Sequence, residues 1–239
     1  MPGSLHSRVL DALGRSLVSG ELAPGSTMLA EQVEKQYSVS RSVVRESIRV
    51  LQSLGMVESV KRVGIRVRPM ADWNLYDPLV IRWRLGEARN GAQLRSLTEL
   101  RMAIEPRAAE LAAIHAPDEV TGDLLALAAR MRSVGRAGDL EQFLELDIRF
   151  HSVVLAASGN EMFARLDGVI GEVLKGRTDQ GLMPARPHEE ALQWHVDVAD
   201  AIQGRRPDDA RAAMEQIMQR TFVEVERIWA EEPRVYLRP

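Results

Sequence analysis

The chain has 239 residues, of which 45% are hydrophobic and 27% are charged, with a formal net charge of −3. This composition is typical of one large or two ordinary folded domains and excludes a disordered chain, and the absence of cysteine excludes disulfides and thiolate metal sites. No apolar run reaches the roughly 18 residues that a membrane span needs, and residues 1–7 lack the features of a signal peptide, so we expect a cytoplasmic protein that does not insert into membranes.

The charges are distributed unevenly along the chain. Residues 1–70 carry ten Lys and Arg against six Asp and Glu, a net charge of +4, whereas the remaining residues carry 21 against 28, a net charge of −7. A basic N-terminal part suits contact with an anionic polymer such as nucleic acid.

Three short N-terminal segments show apolar residues at helical spacing. The predicted helices are Leu5 to Ser19, Leu29 to Tyr37 and Arg41 to Leu54. A Pro24-Gly25 turn separates the first two helices, Ser40 is a suitable N-cap for the third, and Gly55 is placed to end it.

Two β-branched runs follow the third predicted helix, at residues 56–60 and 65–69. A polar turn that contains Gly64 separates them, which predicts a hairpin. Three short helices followed by a hairpin predict a winged helix-turn-helix, so we expect residues 1–70 to form a DNA-binding domain.

Residues 71–91 are predicted to be a connector, and the sequence after it is strongly helical. The predicted helices are Ala92 to His115, Asp118 to Arg136, Leu140 to Ala157, Glu161 to Lys175, His188 to Gln203 and Pro207 to Trp229. They predict an all-α antiparallel bundle over residues 92–232. The expected fold class is therefore mostly α, with one small β-hairpin wing.

Polar residues at the start of the third helix are the candidate DNA contacts, because the first turns of a recognition helix meet the bases. Arg41 and Arg45 lie one helical turn apart, and arginine suits bidentate contact with guanine, whereas serine hydroxyls can bind phosphates. The full predicted set is Ser40, Arg41, Ser42, Arg45, Arg49, Arg62 and Gly64. The alternative is a solvated face on which Glu46 pairs with Arg45 or Arg49.

Asp147 and His151 are four residues apart, so both lie on one face of their predicted helix. His195 lies on a later helix. Together the three residues can hold a divalent metal inside a bundle. The alternatives are a surface ion pair or a core histidine whose hydrogen bonds are satisfied.

The N-terminal residues resemble the GntR family of transcription regulators. The resemblance lies in Val39-Ser40-Arg41, Arg45-Glu46, the step from Leu51 to Gly55, the Pro24-Gly25 turn and Gly64. It implies a winged helix that binds operator DNA. The segment 30–34 departs from the family pattern and lacks the arginine that often touches DNA from the second helix.

Residues 92–229 resemble the FCD effector domain of the FadR branch of this family. Arg101 with Glu105-Pro106 matches its opening motif, Asp147 with His151 its metal motif, and His195 its second histidine. The resemblance implies a divalent metal ion, zinc or similar, held by Asp147, His151 and His195, and a small carboxylate effector bound by Arg101.

Ile217 stands where members that bind metal generally have a third histidine. Either the metal site is lost, or it keeps more open positions for an exogenous oxygen ligand, and we favour the open site.

The connector is similar to the linker of family members that sense sugar acids such as galactonate or gluconate. The similar residues are Trp73-Asn74-Leu75, Pro78-Leu79-Val80 and Trp83. The resemblance implies a homodimeric regulator, and we expect it to be a repressor of sugar-acid catabolism. The alternatives are a metal-responsive regulator, a fatty-acyl sensor and a metal-dependent hydrolase. The hydrolase is disfavoured because no general base follows in the sequence.

Overall fold

The computed structural model describes residues 4–88, 90–184 and 186–237. The described parts of Met1–Asn90 and Arg234–Pro239 form one compact unit, and the described parts of Gly91–Pro233 form a second. The fold is mostly α with one small sheet, which confirms the predicted fold class.

The first unit contains four α-helices, a short 3-10 helix at Met70–Asp72 and three strands among its described residues. In chain order the α-helices and strands are α1 (Leu5–Val18), β1 (Thr27–Met28), α2 (Ala30–Tyr37), α3 (Arg41–Ser53), β2 (Val57–Val60), β3 (Gly64–Val67) and α4 (Pro78–Leu85). The sheet is antiparallel with the strand order β1-β3-β2. The hairpin was predicted, whereas β1 was not, because two residues are too few to show the alternation of a strand.

The segment predicted as a connector contributes to the core of the first unit. Trp73 and Trp83 are buried, and the Trp83 indole Nε1 donates to Asp11 Oδ1 at 3.0 Å. A Cβ atom at Gly14 would collide with the Trp83 ring, so α1 and α4 need glycine at this position to approach each other. Helix α4 was not predicted, since it is only eight residues long and its buried positions do not follow one helical stripe.

The second unit is built from helices throughout its described residues. They are α5 (Gly91–His115), α6 (Asp118–Ala137), α7 (Leu140–Ala157), α8 (Glu161–Ala164), α9 (Asp167–Asp179), α10 (Glu189–Gln203) and α11 (Pro207–Trp229). Their apolar faces share one hydrophobic core that includes Phe150, Leu155 and Met214.

The prediction of a single helix from Glu161 to Lys175 is wrong. Asn160 accepts from the backbone N–H groups of Met162 and Phe163 and starts the short helix α8, which ends before Leu166. Leu166 packs against the core, and the chain resumes as α9 at Asp167. No glycine or proline marks this break, so the sequence pattern does not reveal it.

The two ends of the second unit are joined by hydrogen bonds. The Ala92 N–H, in the first turn of α5, donates to Glu232 Oε2 at 2.8 Å. The Arg95 guanidinium donates to the carbonyl oxygens of Trp229 and Glu232 at the end of α11. These bonds satisfy groups at helix ends that have no partner within their own helix.

Among the described residues, no helix combines the length and the apolar character needed to cross a membrane.

Candidate functional site

The outer face of α3 presents the arginines predicted to contact DNA. Arg41, Arg45 and Arg49 are exposed, because Val44, Ile48 and Leu51 occupy the opposite face and are buried. Arg49 Nη1 lies 3.6 Å from Glu46 Oε2, an exposed pair. Arg41 and Arg45 form no ion pair with any residue in the described part of the chain. Their guanidinium groups are thus available to an external anion.

Ser40 occupies the N-cap position of α3, as predicted, but its hydroxyl does not cap the helix. Its Oγ instead lies 2.9 Å from Ser42 Oγ, and both side chains are exposed. The first backbone N–H groups of α3 are therefore left without a side-chain cap. Such a helix start favours an anionic partner through its N–H groups and its dipole.

The wing between β2 and β3 presents Lys61 and Arg62 to solvent. Arg62 has a φ of 66° at the tip of the turn, and Gly64 has a φ of 115°. A Cβ atom at Gly64 would lie 2.7 Å from the carbonyl oxygen of Met28 in β1. The sheet itself therefore requires glycine at position 64, in addition to the DNA contact that the sequence predicts.

The structure brings together Asp147, His151 and His195, which come from two helices and are buried. Asp147 Oδ1 lies 3.3 Å from Nε2 of His151 and 3.3 Å from Nε2 of His195. One ligand atom from each residue lies within 4.8 Å of the other two. The three atoms thus converge on one point inside the second unit.

Each histidine is oriented by an acceptor on its other ring nitrogen. His195 Nδ1 donates to the carbonyl oxygen of Ala191 at 2.7 Å, and His151 Nδ1 lies 2.5 Å from Glu105 Oε2. Because a carbonyl can only accept, Nδ1 carries the proton in the His195 ring, and the neutral ring presents the lone pair of Nε2 towards Asp147, as in histidines that bind metal. The short contact of His151 Nδ1 with Glu105 is an ion pair outside hydrogen-bond geometry.

Glu105 links the cluster to Arg101, and the sequence did not assign it this role. Arg101 Nε donates to Glu105 Oε1 at 2.5 Å and Arg101 Nη2 to Glu105 Oε2 at 3.3 Å, with both side chains 1% exposed. Burial alone would raise the pKa of Glu105, but the charges of Arg101 and His151 lower it to about 2. Glu105 therefore stays ionised between the two groups.

The remaining pKa shifts follow from the same contacts. Burial disfavours a charged ring, but Glu105 and Asp147 raise the pKa of His151 to about 9. Burial would also raise the pKa of Asp147, yet the two histidine rings keep it well below its usual value. Without an ion the cluster therefore holds a proton on His151, which a metal ion would have to displace.

A cleft opens beside these residues, with an empty volume of about 500 Å³ that includes the solvent at its mouth. Its lining includes the predicted residues Arg101, Asp147, His151, His195 and Ile217. It also includes His188 and four polar residues on two further helices that the sequence did not single out, namely Arg177, Arg220, Thr221 and Glu224. These four come from α9 and α11, and no local pattern shows that they meet the cleft.

The donor atoms fit a divalent metal ion. Two ligands about 2.0 Å from one ion, at a tetrahedral angle, lie about 3.3 Å apart, which is the distance from Asp147 Oδ1 to each histidine nitrogen. Asp147 Oδ1 and His195 Nε2 are buried and make no hydrogen bond to the described residues. Imidazole and carboxylate ligands suit zinc, nickel, manganese and iron. The apolar Ile217 contributes no ligand, so such an ion would keep open positions.

Comparison with known proteins gives matches for both units. Residues 5–67 match the gntR family of bacterial regulatory proteins, and residues 96–220 match the FCD domain. The chain is 30% identical to the galactonate operon transcriptional repressor of Escherichia coli K12 over 214 residues, which are 86% of this chain and 90% of that protein.

Two further relatives agree in sequence or fold. The chain is 28% identical to the Escherichia coli K12 transcriptional repressor NanR, with coverage of 88% of this chain and 80% of that protein. Lar, which controls the expression of the Listeria monocytogenes agr system, has a solved structure similar to this one. The TM-score is 0.59 at 16% identity, and the match covers 95% of this chain and 99% of that chain. This last likeness concerns the fold alone.

Proposed function

The chain belongs to the gntR family of bacterial regulatory proteins and carries an FCD domain, and from this premise we propose that it represses genes of sugar-acid catabolism in response to a sugar acid. It is a DNA-binding transcription regulator and not an enzyme. The observation that carries the proposal is the cleft in which buried Arg101 adjoins the Asp147, His151 and His195 group. The likeness to a galactonate operon repressor supports the class of effector.

The effector would bind through its acidic end. We propose that Asp147, His151 and His195 hold a divalent ion, whose open positions supply sites for a carboxylate and an α-hydroxyl oxygen. Arg101 keeps Nη1 free of hydrogen bonds to the described residues, so it can donate to the same carboxylate. Glu105 orients both Arg101 and His151 and would transmit a change at one to the other.

The operator would be bound by the first unit. We propose that Arg41 and Arg45 read base edges, that Ser40, Ser42 and Arg49 contact phosphates, and that the wing adds Arg62 and Gly64. A homodimer, joined through the second unit, would place two such helices on two half-sites of a near-palindromic operator in the cytoplasm. The effector would act by favouring a dimer geometry with a different affinity for the operator.

A metal-responsive regulator is the second candidate, because three buried ligand atoms converge without any effector. In that case the ion alone would change operator binding. The same experiment separates the two candidates.

The test combines elemental analysis of the purified protein with operator binding, measured by fluorescence anisotropy with metal, with sugar acids and with both. We expect about one divalent ion per chain and a change in operator affinity that requires an acid. A change with metal alone would favour the metal-responsive regulator, and no response to any carboxylate would contradict the proposal.

Matched histidine variants show whether the response depends on the cleft. His195→Ala should lower both the metal content and the response to acid. His115→Ala removes an exposed histidine outside the cleft and should change neither. An equal loss of metal content and of the response to acid in His195→Ala and His115→Ala would show that the response does not depend on the proposed site.

A further inference from the structure

Arg177 is a second buried arginine in the cleft, and the proposed binding of one carboxylate does not use it. Its side chain is 4% exposed, with Nη2 donating to Glu224 Oε2 at 3.0 Å and Nη1 to Thr221 Oγ1 at 3.5 Å. Its Nε is buried and makes no hydrogen bond to the described residues. A buried N–H without a partner is costly, so a ligand that accepts from it gains free energy.

Arg101 and Arg177 act on each other as like charges. Burial lowers the pKa of Arg177 to about 10, and the positive charge of Arg101 is the next largest cause of that shift. Arg101 also keeps one N–H group without a partner. Two buried guanidinium groups that repel each other and retain free donors are stabilised by anionic groups placed beside them.

The charges around the cleft leave room for more than one negative group. Arg101, Arg177 and Arg220 contribute three guanidinium groups, and Glu105, Asp147 and Glu224 contribute three carboxylates, with the exposed Glu190 as a fourth at 3.8 Å from Arg220. A divalent ion at Asp147, His151 and His195 would add two positive charges to this group in place of the proton on His151. A ligand with a single carboxylate neutralises only one of them.

We infer that the effector carries two anionic groups on one hydroxylated chain, one bound beside Arg101 and the other by Arg177. Aldaric acids and phosphorylated aldonic acids have this chemistry, whereas simple aldonic acids have only the first group. Thr221 and Glu224 hold Arg177 in place, and Arg220 supports Glu224 with a 3.0 Å hydrogen bond from its Nε. Arg177 is thus the residue that sets specificity for the second anionic group. This inference rests on the proposed function, since it takes the cleft to be the effector site.

The first test uses the full chain loaded with zinc and acids that differ only in the second anionic group. Isothermal titration compares gluconate with glucarate and with 6-phosphogluconate, and galactonate with galactarate. We expect at least one doubly anionic acid to bind about tenfold to a hundredfold more tightly than its aldonic counterpart, the effect of one charge-assisted hydrogen-bonding contact. The affinities for glucarate and 6-phosphogluconate, compared with each other, show whether the second anionic group of the effector is a carboxylate or a phosphate.

The second test removes the Arg177 guanidinium. Arg177→Met should remove that preference and leave the affinity for the aldonic acid within about twofold, while Glu224 keeps Arg220 as its partner. Arg211→Met is the matched control, because Arg211 is an exposed arginine on α11 outside the cleft. Arg177→Lys keeps the positive charge but lacks the planar set of N–H donors of a guanidinium group. This variant replaces Arg177→Met in the test if Arg177→Met does not fold.

The outcomes separate this inference from the proposed function. Aldonic acids that bind as tightly as the doubly anionic acids overturn the inference and leave the proposed function standing. Failure of every acid to bind overturns both. An Arg177→Met variant that weakens both classes equally also overturns the inference, because Arg177 would then have only a structural role.

Discussion

Arginines occur in two contrasting settings in this molecule, on the outer face of α3 and around the cleft of the second unit. Arg41 and Arg45 are exposed and have no ion-pair partner in the described residues, whereas Arg101 and Arg177 are buried and each is bound to a glutamate. We propose that arginine serves two kinds of anion in these two settings. Solvated arginines suit a polyanion such as DNA, and arginines held by carboxylates in a cleft suit a small acid.

The difference has an energetic consequence. An exposed arginine keeps its hydration in the folded chain, so its removal should alter DNA binding without altering stability. A buried arginine has lost its hydration and depends on its glutamate partner. Removal of Arg101 leaves Glu105 buried with less compensation, whereas removal of Arg177 leaves Glu224 paired with Arg220. Ligand binding and folding stability should therefore be separable in the first unit and coupled at Arg101 in the second.

The largest expected effect concerns the buried pair. Arg101→Met should lower the free energy of unfolding by about 3–5 kcal/mol, because Glu105 would remain buried with only His151 as its partner. Urea denaturation of the ion-free protein measures this loss. The control Arg211→Met should stay within about 0.5 kcal/mol of the unmodified chain. A loss below 1 kcal/mol for Arg101→Met would remove the proposed coupling of binding and stability.

The counterpart in the first unit is Arg45. Arg45→Ala should weaken operator binding by about 1–3 kcal/mol and relax sequence preference at one base position. Its melting temperature should not change. Fluorescence anisotropy and thermal denaturation test both parts, with the exposed Arg15→Ala on α1 as the control of equal charge change. A large drop in the stability of Arg45→Ala would contradict the proposed difference between exposed and buried arginines.

The third prediction concerns the partner of His151. Glu105→Gln keeps the shape of the side chain but weakens its hold on the His151 ring, and we expect metal affinity to fall roughly tenfold to a hundredfold. Competition with a metal-binding dye measures the affinity. Glu215→Gln, an exposed position on α11, is the control and should bind metal normally. An unchanged metal affinity in Glu105→Gln would mean that Glu105 positions Arg101 but not His151.

The smallest effect is expected at Arg49, whose side chain already pairs with Glu46 on the helix surface. Exposed pairs of this kind contribute about 0–1 kcal/mol. Arg49→Ala should weaken operator binding uniformly across sequences and reduce the slope of log affinity against log salt by about 1. Base-specific loss in this variant would assign Arg49 to base contact instead of phosphate contact.

The sequence predicts the long helices of the second unit closely. The bounds of α7 and α11 are those predicted, because Asp139 caps the first and Pro207 starts the second. Strand β1, helix α4 and the break before α9 are missed, since each depends on packing against distant residues and not on a local periodicity.

The residues of the candidate site likewise divide into those that local sequence spacing predicts and those that depend on packing between distant helices. Asp147 and His151 share a helical face, so their proximity follows from spacing alone. The convergence of His195 was expected from the family resemblance, and the structure brings it to the same point. The roles of Glu105 and Arg177 depend on which faces of α5 and α9 meet the cleft. Glu105 belongs to the motif that carries the family resemblance, but its sequence position does not show that it contacts both Arg101 and His151, and Arg177 resembles any other polar residue on a helix.

The hydrogen bonds from Ala92 and Arg95 to the end of α11 have a consequence for engineering. Glu232 is hydrogen-bonded to Ala92 and Arg95 in the first helix of the second unit. The points at which the chain enters and leaves this unit therefore lie next to each other. A block with adjacent ends can be inserted after a different DNA-binding head or circularly permuted without stretching its helices. We expect transplantation of residues 91–233 to preserve ligand binding, whereas a block cut at residue 229 would lose the acceptor that Glu232 provides.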